Sequence, residues 1–256
     1  MIDVSFDFTM DSPDYWKNFW DNNKGLGGGG CDPDSASKTL QKYHQLLWSK
    51  PLPCGETMNL TCGSESNYLT WNHFRFGSDS ILASFRYQRN KDLLVKVAQS
   101  VSDYKSYMED FVHSSYTIGG MIIFPKHINS INQRRGTNPF IRDRWDLTLE
   151  CIRRYYSGEE NPLNDVLKQD KEFFDLFIDF KGYTDFFLLQ DCLSQDASSV
   201  KIWLGSGNLK ENPIPQTIEE YLYWIETELS FVKKRNKRIE EYCKLNIGTA
   251  SQADTK

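Results

Sequence analysis

From Ile218 to Cys243, apolar residues recur at Ile218, Leu222, Ile225, Leu229, Val232, Ile239 and Cys243, with Asn236 in the remaining place, at alternating spacings of four and three. This is a heptad a/d seam nearly four heptads long, and Thr217 with Glu220 supplies a capping box at its start. A helix of about 40 Å needs a partner surface of matching length. That surface can be the body of the same domain. Alternatively it belongs to another chain, in a homodimer or partner seam through Leu222, Leu229 and Val232 with Asn236 setting register.

The rest of the chain offers material for such a body. Ser12-Pro13 starts a helix carrying Trp16, Phe19 and Trp20, after a short strand at Phe6–Phe8. Asp34 or Ser35 caps a second helix with Leu40, Tyr43 and Leu47 on one face, stopped by Pro51 and Pro53. Residues 56–85 read as loops and brief strands. A helix spans 92–112, and Tyr116 to Phe124 reads as a buried strand ending at Pro125. Its Gly119-Gly120 pair points to a bulge, or to close approach by a ligand or another backbone. Trp145, Leu149, Ile152 and Tyr156 line a helix from about Arg144, with Asp143 and Asp146 at its first turn. Helices follow at 162–169, 171–180 and 183–193, then a short strand at 200–204. The expected fold is α+β, a predominantly helical single domain over 1–247 with a small sheet and a long C-terminal helix, and a disordered tail at 248–256.

Aromatics at 14% argue for a packed core, and no run approaches eighteen apolar residues. The acidic start has no signal-peptide pattern, and six scattered cysteines lack metal or disulfide spacing, so the expected setting is the cytoplasm, away from membranes. The net charge of −5 is uneven. Residues 126–154 hold seven Lys/Arg against three acidic groups, and 233–238 hold five Lys/Arg, so two islands of +4 and +5 sit in an otherwise acidic chain. Each could meet phosphate or be an ordinary solvated helix face.

Standard catalytic motifs are missing. Gly25 to Gly30 fits G-x-G-x-x-G literally but follows an aromatic helix rather than a strand, and reads as a turn. The histidines lack ligand spacing, and the sequence leaves any cofactor open. The richest polar constellation lies around the central strand. Asn132 offers an amide, Arg135 and Arg144 guanidinium forks, Gly136 a close backbone approach, and Lys50, between Trp48 and Pro51, a further cation. Together Lys50, Asn132, Arg135 and Arg144 form a candidate site for a nucleotide or nucleic-acid phosphate. Asp143 and Asp146 would act there as acid–base or metal-bridging groups. The competing reading is an internal Arg–Asp network tying strand to helix.

Several segments carry a resemblance: LWSKPLP from Leu46, TIGGMIIFP from Thr117, Asn132 with Arg135-Gly136, DRWDLTLECIRRYY from Asp143, and DFFLLQD from Asp185. In these the chain resembles a bacterial and phage family of unknown function over most of its length, which implies no activity. The TIGGMIIFP run followed by Asn132 also resembles the T-L-G-N-L segment of HNH-type nucleases. Those need a metal-activating histidine on an upstream D-H-I-x-P-like element. None is present here, and Gly120 replaces their asparagine, so the resemblance implies no working nuclease. Two functions remain: an intracellular phosphate-ligand binder, enzyme or not, and a non-enzymatic interaction module such as a phage–host conflict component, acting through aromatic surfaces or the heptad helix.

Overall fold

In a computed structural model the chain is described over residues 2–12, 14–21, 32–63, 68–82, 87–211 and 214–246. The glycine run from Gly25 and the 248–256 tail lie outside these residues. The fold is α+β. In chain order the helices and strands are α1 (Tyr15–Asp21), α2 (Pro33–Ala36), α3 (Lys38–Trp48), β1 (Thr61–Cys62), β2 (Leu69–Trp71), β3 (Phe74–Ser80), α4 (Tyr87–Ser100) and α5 (Tyr104–Ser115). Then come β4 (Met121–Pro125), α6 (Ile131–Thr137), α7 (Trp145–Tyr156), α8 (Asn164–Gln169), α9 (Lys171–Asp175), α10 (Phe180–Phe186) and α11 (Ile218–Asn246).

The four strands form one antiparallel sheet in the order β1-β2-β3-β4. β4 is buried at every residue and pairs with β3, Gly77 opposite Phe124 and Asp79 opposite Ile122. The expected strand over Tyr116–Phe124 is shorter and shifted: Ile118–Gly120 form a 3₁₀ turn and the strand begins at Met121. Phe6–Phe8 is not a strand, since Phe8–Asp11 form another 3₁₀ turn. The expected strand at 200–204 reduces to one bridge, Leu193 opposite Val200. Ser37, rather than Asp34 or Ser35, caps α3 by accepting from the Leu40 N–H.

α11 is the long helix expected from the seam, but the face it buries is rotated. Tyr221, Trp224, Ile225, Glu228, Phe231, Val232, Arg235 and Ile239 point inward, while Leu222 and Leu229 are partly buried at the edge of the same core. Ile225, Val232 and Ile239 of the seam are covered by the protein's own body, where α11 packs on α4, α5 and the 118–120 turn. Heptad spacing cannot reveal that Glu228 and Arg235 enter the interior, because their polarity marks them as solvent-facing until partners are known.

Candidate functional site

The central Arg/Asp residues do not converge on an open surface. Arg135 is fully buried on α6: Nε donates to Thr148 Oγ1 at 3.2 Å, one terminal nitrogen to Asp79 Oδ2 and the Ser80 carbonyl at 2.8 Å each, and the other to the Asp143 carbonyl at 2.8 Å. The Asp143 carboxylate stands 3.6 Å from Nε. Burial pushes the Asp79 carboxyl up to about 6 although Arg135 beside it pulls the other way. Arg144, just before α7, makes a second internal staple. It grips both oxygens of fully buried Asp146 at 3.0 and 2.5 Å and donates to the Leu204 carbonyl at 2.8 Å, while the Trp203 N–H reaches Asp146 Oδ2 at 2.7 Å.

These geometries correct the reading of Arg135 and Arg144 as ligand donors and of Asp146 as an acid–base group. A guanidinium enters a core only when carbonyls and carboxylates meet its donors, and here they do. Asp143 remains about one-third exposed, and Asn132 accepts from Ser130 Oγ on the opposite end of α6. The close approach expected at Gly136 is also lacking: an added Cβ there would meet Asp143 Oδ1 at an ordinary 3.7 Å. Among the described residues, no group of three or more His, Cys, Asp or Glu could hold a metal ion.

The glycine pair does mark a close approach, by the chain's own backbone. A Cβ on Gly119 would lie 2.5 Å from the Val232 carbonyl oxygen, and one on Gly120 would overlap that of Ser115. Into this turn α11 sends two adjacent side chains. Asn236 accepts from the Gly119 N–H at 2.6 Å and donates to Thr117 Oγ1 at 2.7 Å. Fully buried Arg235 donates to the carbonyls of Gly119 (3.0 Å), Met121 (2.7 Å) and Phe187 (3.0 Å). Its cation is solvated by backbone oxygens, not by a carboxylate.

The Trp48 ring, whose centre lies 5.9 Å from this guanidinium, also meets Lys50. Trp48 ends α3, the chain turns out through Pro51 and Pro53, and Lys50 is left in the wall of an open cleft of about 590 Å³. Nζ donates to the Phe186 carbonyl at 2.6 Å and lies 4.9, 4.5 and 4.5 Å from the ring centres of Trp48, Phe186 and Tyr242. Burial first, and then the Arg235 guanidinium, push this lysine down to about 7. Neither Lys50 nor Arg235 makes an ion pair among the described residues; Asp191 is held by Arg238 at 2.9 Å and Asp185 by Lys181. Ile178, Lys181, Asp185, Phe186 and Tyr242 complete the opening. Of the residues picked from sequence only Lys50 lies here. Phe186 and Tyr242 reach it from far along the chain, with no local pattern to announce them.

The cleft also carries backbone strain. Ile178, a β-branched residue, has φ of 68° and a side chain 65% exposed, so it occupies the left-handed region without a core to hold it there. Ile178→Gly is therefore expected to raise stability by about 1 kcal/mol in urea unfolding, since strain is relieved and little apolar area is lost. A loss of stability would show that the side chain has a packing role.

Residues 2–239 match the model of a family described as a family of unknown function, DUF6994. No curated protein and no solved structure matches the chain.

Proposed function

This chain belongs to the family of unknown function DUF6994, and we propose from that premise that it binds a small phosphate-bearing ligand, of nucleotide size, in the cleft walled by Lys50. The observation that carries this reading is a mostly enclosed ammonium, backed by a second enclosed cation, with no carboxylate paired to either among the described residues. An anion in the cleft would supply the missing countercharge. The cleft's volume suits a small molecule. A polyanion is the poorer fit. Arg135, Arg144 and Arg235 are interior, and Arg153, Arg154 and Arg238 are ion-paired, which halves the charge that the two basic islands could offer nucleic acid.

Binding should be pH-dependent in a defined direction. The groups facing Lys50 are Arg235, Tyr242 and Cys243 from α11 and Lys181 and Asp185 from α10. The folded state holds Lys50 below its ordinary value, so the ammonium is half present at about 7 and predominates only below it. Above that, an anion must draw a proton onto the amine, and affinity falls as pH rises. A phosphate monoester loses its second charge below about 6, so affinity should peak between roughly 6 and 7.

Calorimetric titration of the wild type and Lys50→Met with inorganic phosphate, nucleoside monophosphates and nucleoside triphosphates tests the proposal. Loss of a charge-assisted contact should weaken binding by about tenfold or more. Stability should change by no more than about 1 kcal/mol, because methionine fits between three rings without a charge to desolvate. Equal affinity in both proteins, or no binding by the wild type, rejects the site.

A further inference from the structure

We propose that the Lys50 ε-amine forms an imine with a small anionic carbonyl compound held in this cleft. The inference rests on the reading of the cleft as an anion site and adds a covalent step to it.

Four features of the geometry lead there. The amine stands at the wall of an open cleft, where a ligand can reach it, and not in a closed core. It lies among the faces of Trp48, Phe186 and Tyr242, which keep bulk water from much of its surface. A second cation, Arg235, lies against the same Trp48 ring, held in place by three backbone carbonyls and unable to swing away. No carboxylate is paired with it among the described residues, so nothing anionic locks the amine in its protonated form. Desolvation together with a neighbouring cation is the arrangement that turns a lysine into a nucleophile near neutral pH, and the downward shift of this lysine agrees with it. Exposed Lys171, Lys181 and Lys244 each sit beside a carboxylate and lack that activation.

The step balances without an oxidant or reductant. The nitrogen lone pair attacks the carbonyl carbon, a C–N bond forms, and the C=O π pair moves to oxygen, which takes a proton from cleft water. The nitrogen gives up a proton, the hydroxyl is protonated and leaves as water, and the lone pair closes the C=N bond. Amine plus carbonyl thus give imine plus water. The protonated imine keeps the positive charge at the same nitrogen, where the three ring faces and the Phe186 carbonyl already hold an ammonium.

The test uses the full chain at neutral pH with two probes, pyridoxal 5′-phosphate and glyoxylate. Each mixture is reduced with borohydride, and the modified lysines are located by mass spectrometry. Lys50 should be modified about tenfold or more ahead of Lys171, Lys181 and Lys244, and inorganic phosphate should protect it. Lys50→Arg, which keeps a cation at the cleft, should lose the fast modification and leave the exposed sites unchanged. Modification of the exposed lysines with Lys50 spared, or at one uniform rate, overturns the inference. The two readings fail separately. If phosphate binds to wild type and to Lys50→Arg while Lys50 is never trapped, the imine falls and the anion site stands. If phosphate does not bind at all, the anion site falls with it.

Discussion

Gly120→Ala is expected to destabilise the protein by at least about 3 kcal/mol, a large fraction of the stability of an ordinary domain. The added methyl would overlap the Ser115 carbonyl oxygen, a backbone atom at the end of α5 that cannot rotate away. Relief would require the 118–120 turn to move, and that turn is held from the opposite side by Asn236 and Arg235. The clash therefore propagates into the seating of α11. Gly136→Ala is the matched control. Its new methyl meets only ordinary contacts inside α6, and removal of a helical glycine is worth up to about 1 kcal/mol in the stabilising direction. Urea unfolding of both variants should give effects of opposite sign. A tolerated Gly120→Ala would mean that α5 and β4 are less closely joined than described.

Arg235→Met should be nearly as damaging, with an expected loss of about 3–5 kcal/mol. Methionine can fill much of the volume but cannot donate, and the carbonyls of Gly119, Met121 and Phe187 would be left facing it inside the core. Those three oxygens belong to the turn, to β4 and to the end of α10, so one guanidinium joins α11 to the sheet and to the wall of the cleft. Chemical denaturation is again the readout. Stability within 1 kcal/mol of wild type would mean that water replaces the guanidinium at little cost. Lys50→Met is expected to behave differently because its charge faces an opening. The contrast between these two lysine and arginine positions separates a cation that holds the fold from one that waits for a ligand.

Much of the architecture was legible because it rests on periodicity. α3, α7 and α11 follow apolar residues at helical spacing, and the MIIFP strand follows its dense apolar run. The β1–β3 meander was legible only as brief strands, without bounds or pairing. Its strands are two to seven residues long and carry Thr70, Arg75, Ser78, Asp79 and Ser80, so the alternation is weak and pairing comes from the neighbouring strands. The direction of polar side chains was also hidden. In Lys233-Lys234-Arg235-Asn236-Lys237-Arg238 every residue reads as solvent-facing, and only the carbonyls waiting at Gly119, Met121 and Phe187 draw Arg235 inward. Arg135 and Arg144 stand out in the sequence as part of a dense polar cluster. Their purpose differs because the residues that satisfy them, Asp79, Ser80 and Leu204, come from other parts of the chain.

The same limit governed the site. Lys50 has a visible aromatic neighbour at Trp48, but Phe186 lies 136 residues downstream and Tyr242 farther still. No spacing rule connects them. The structure brings them together because α10 and the last turns of α11 both pack beside the end of α3, and the strained turn at Ile178 forms the rim.

The most direct test is the titration of Lys50 itself. Nuclear magnetic resonance of lysine-labelled protein, with Lys50→Arg to assign the signal, should place its midpoint near 7 in the free protein. Adding inorganic phosphate should move it upward. A midpoint at the ordinary lysine value, unmoved by phosphate, would show that the ammonium is already solvated and that the cleft is not built around it.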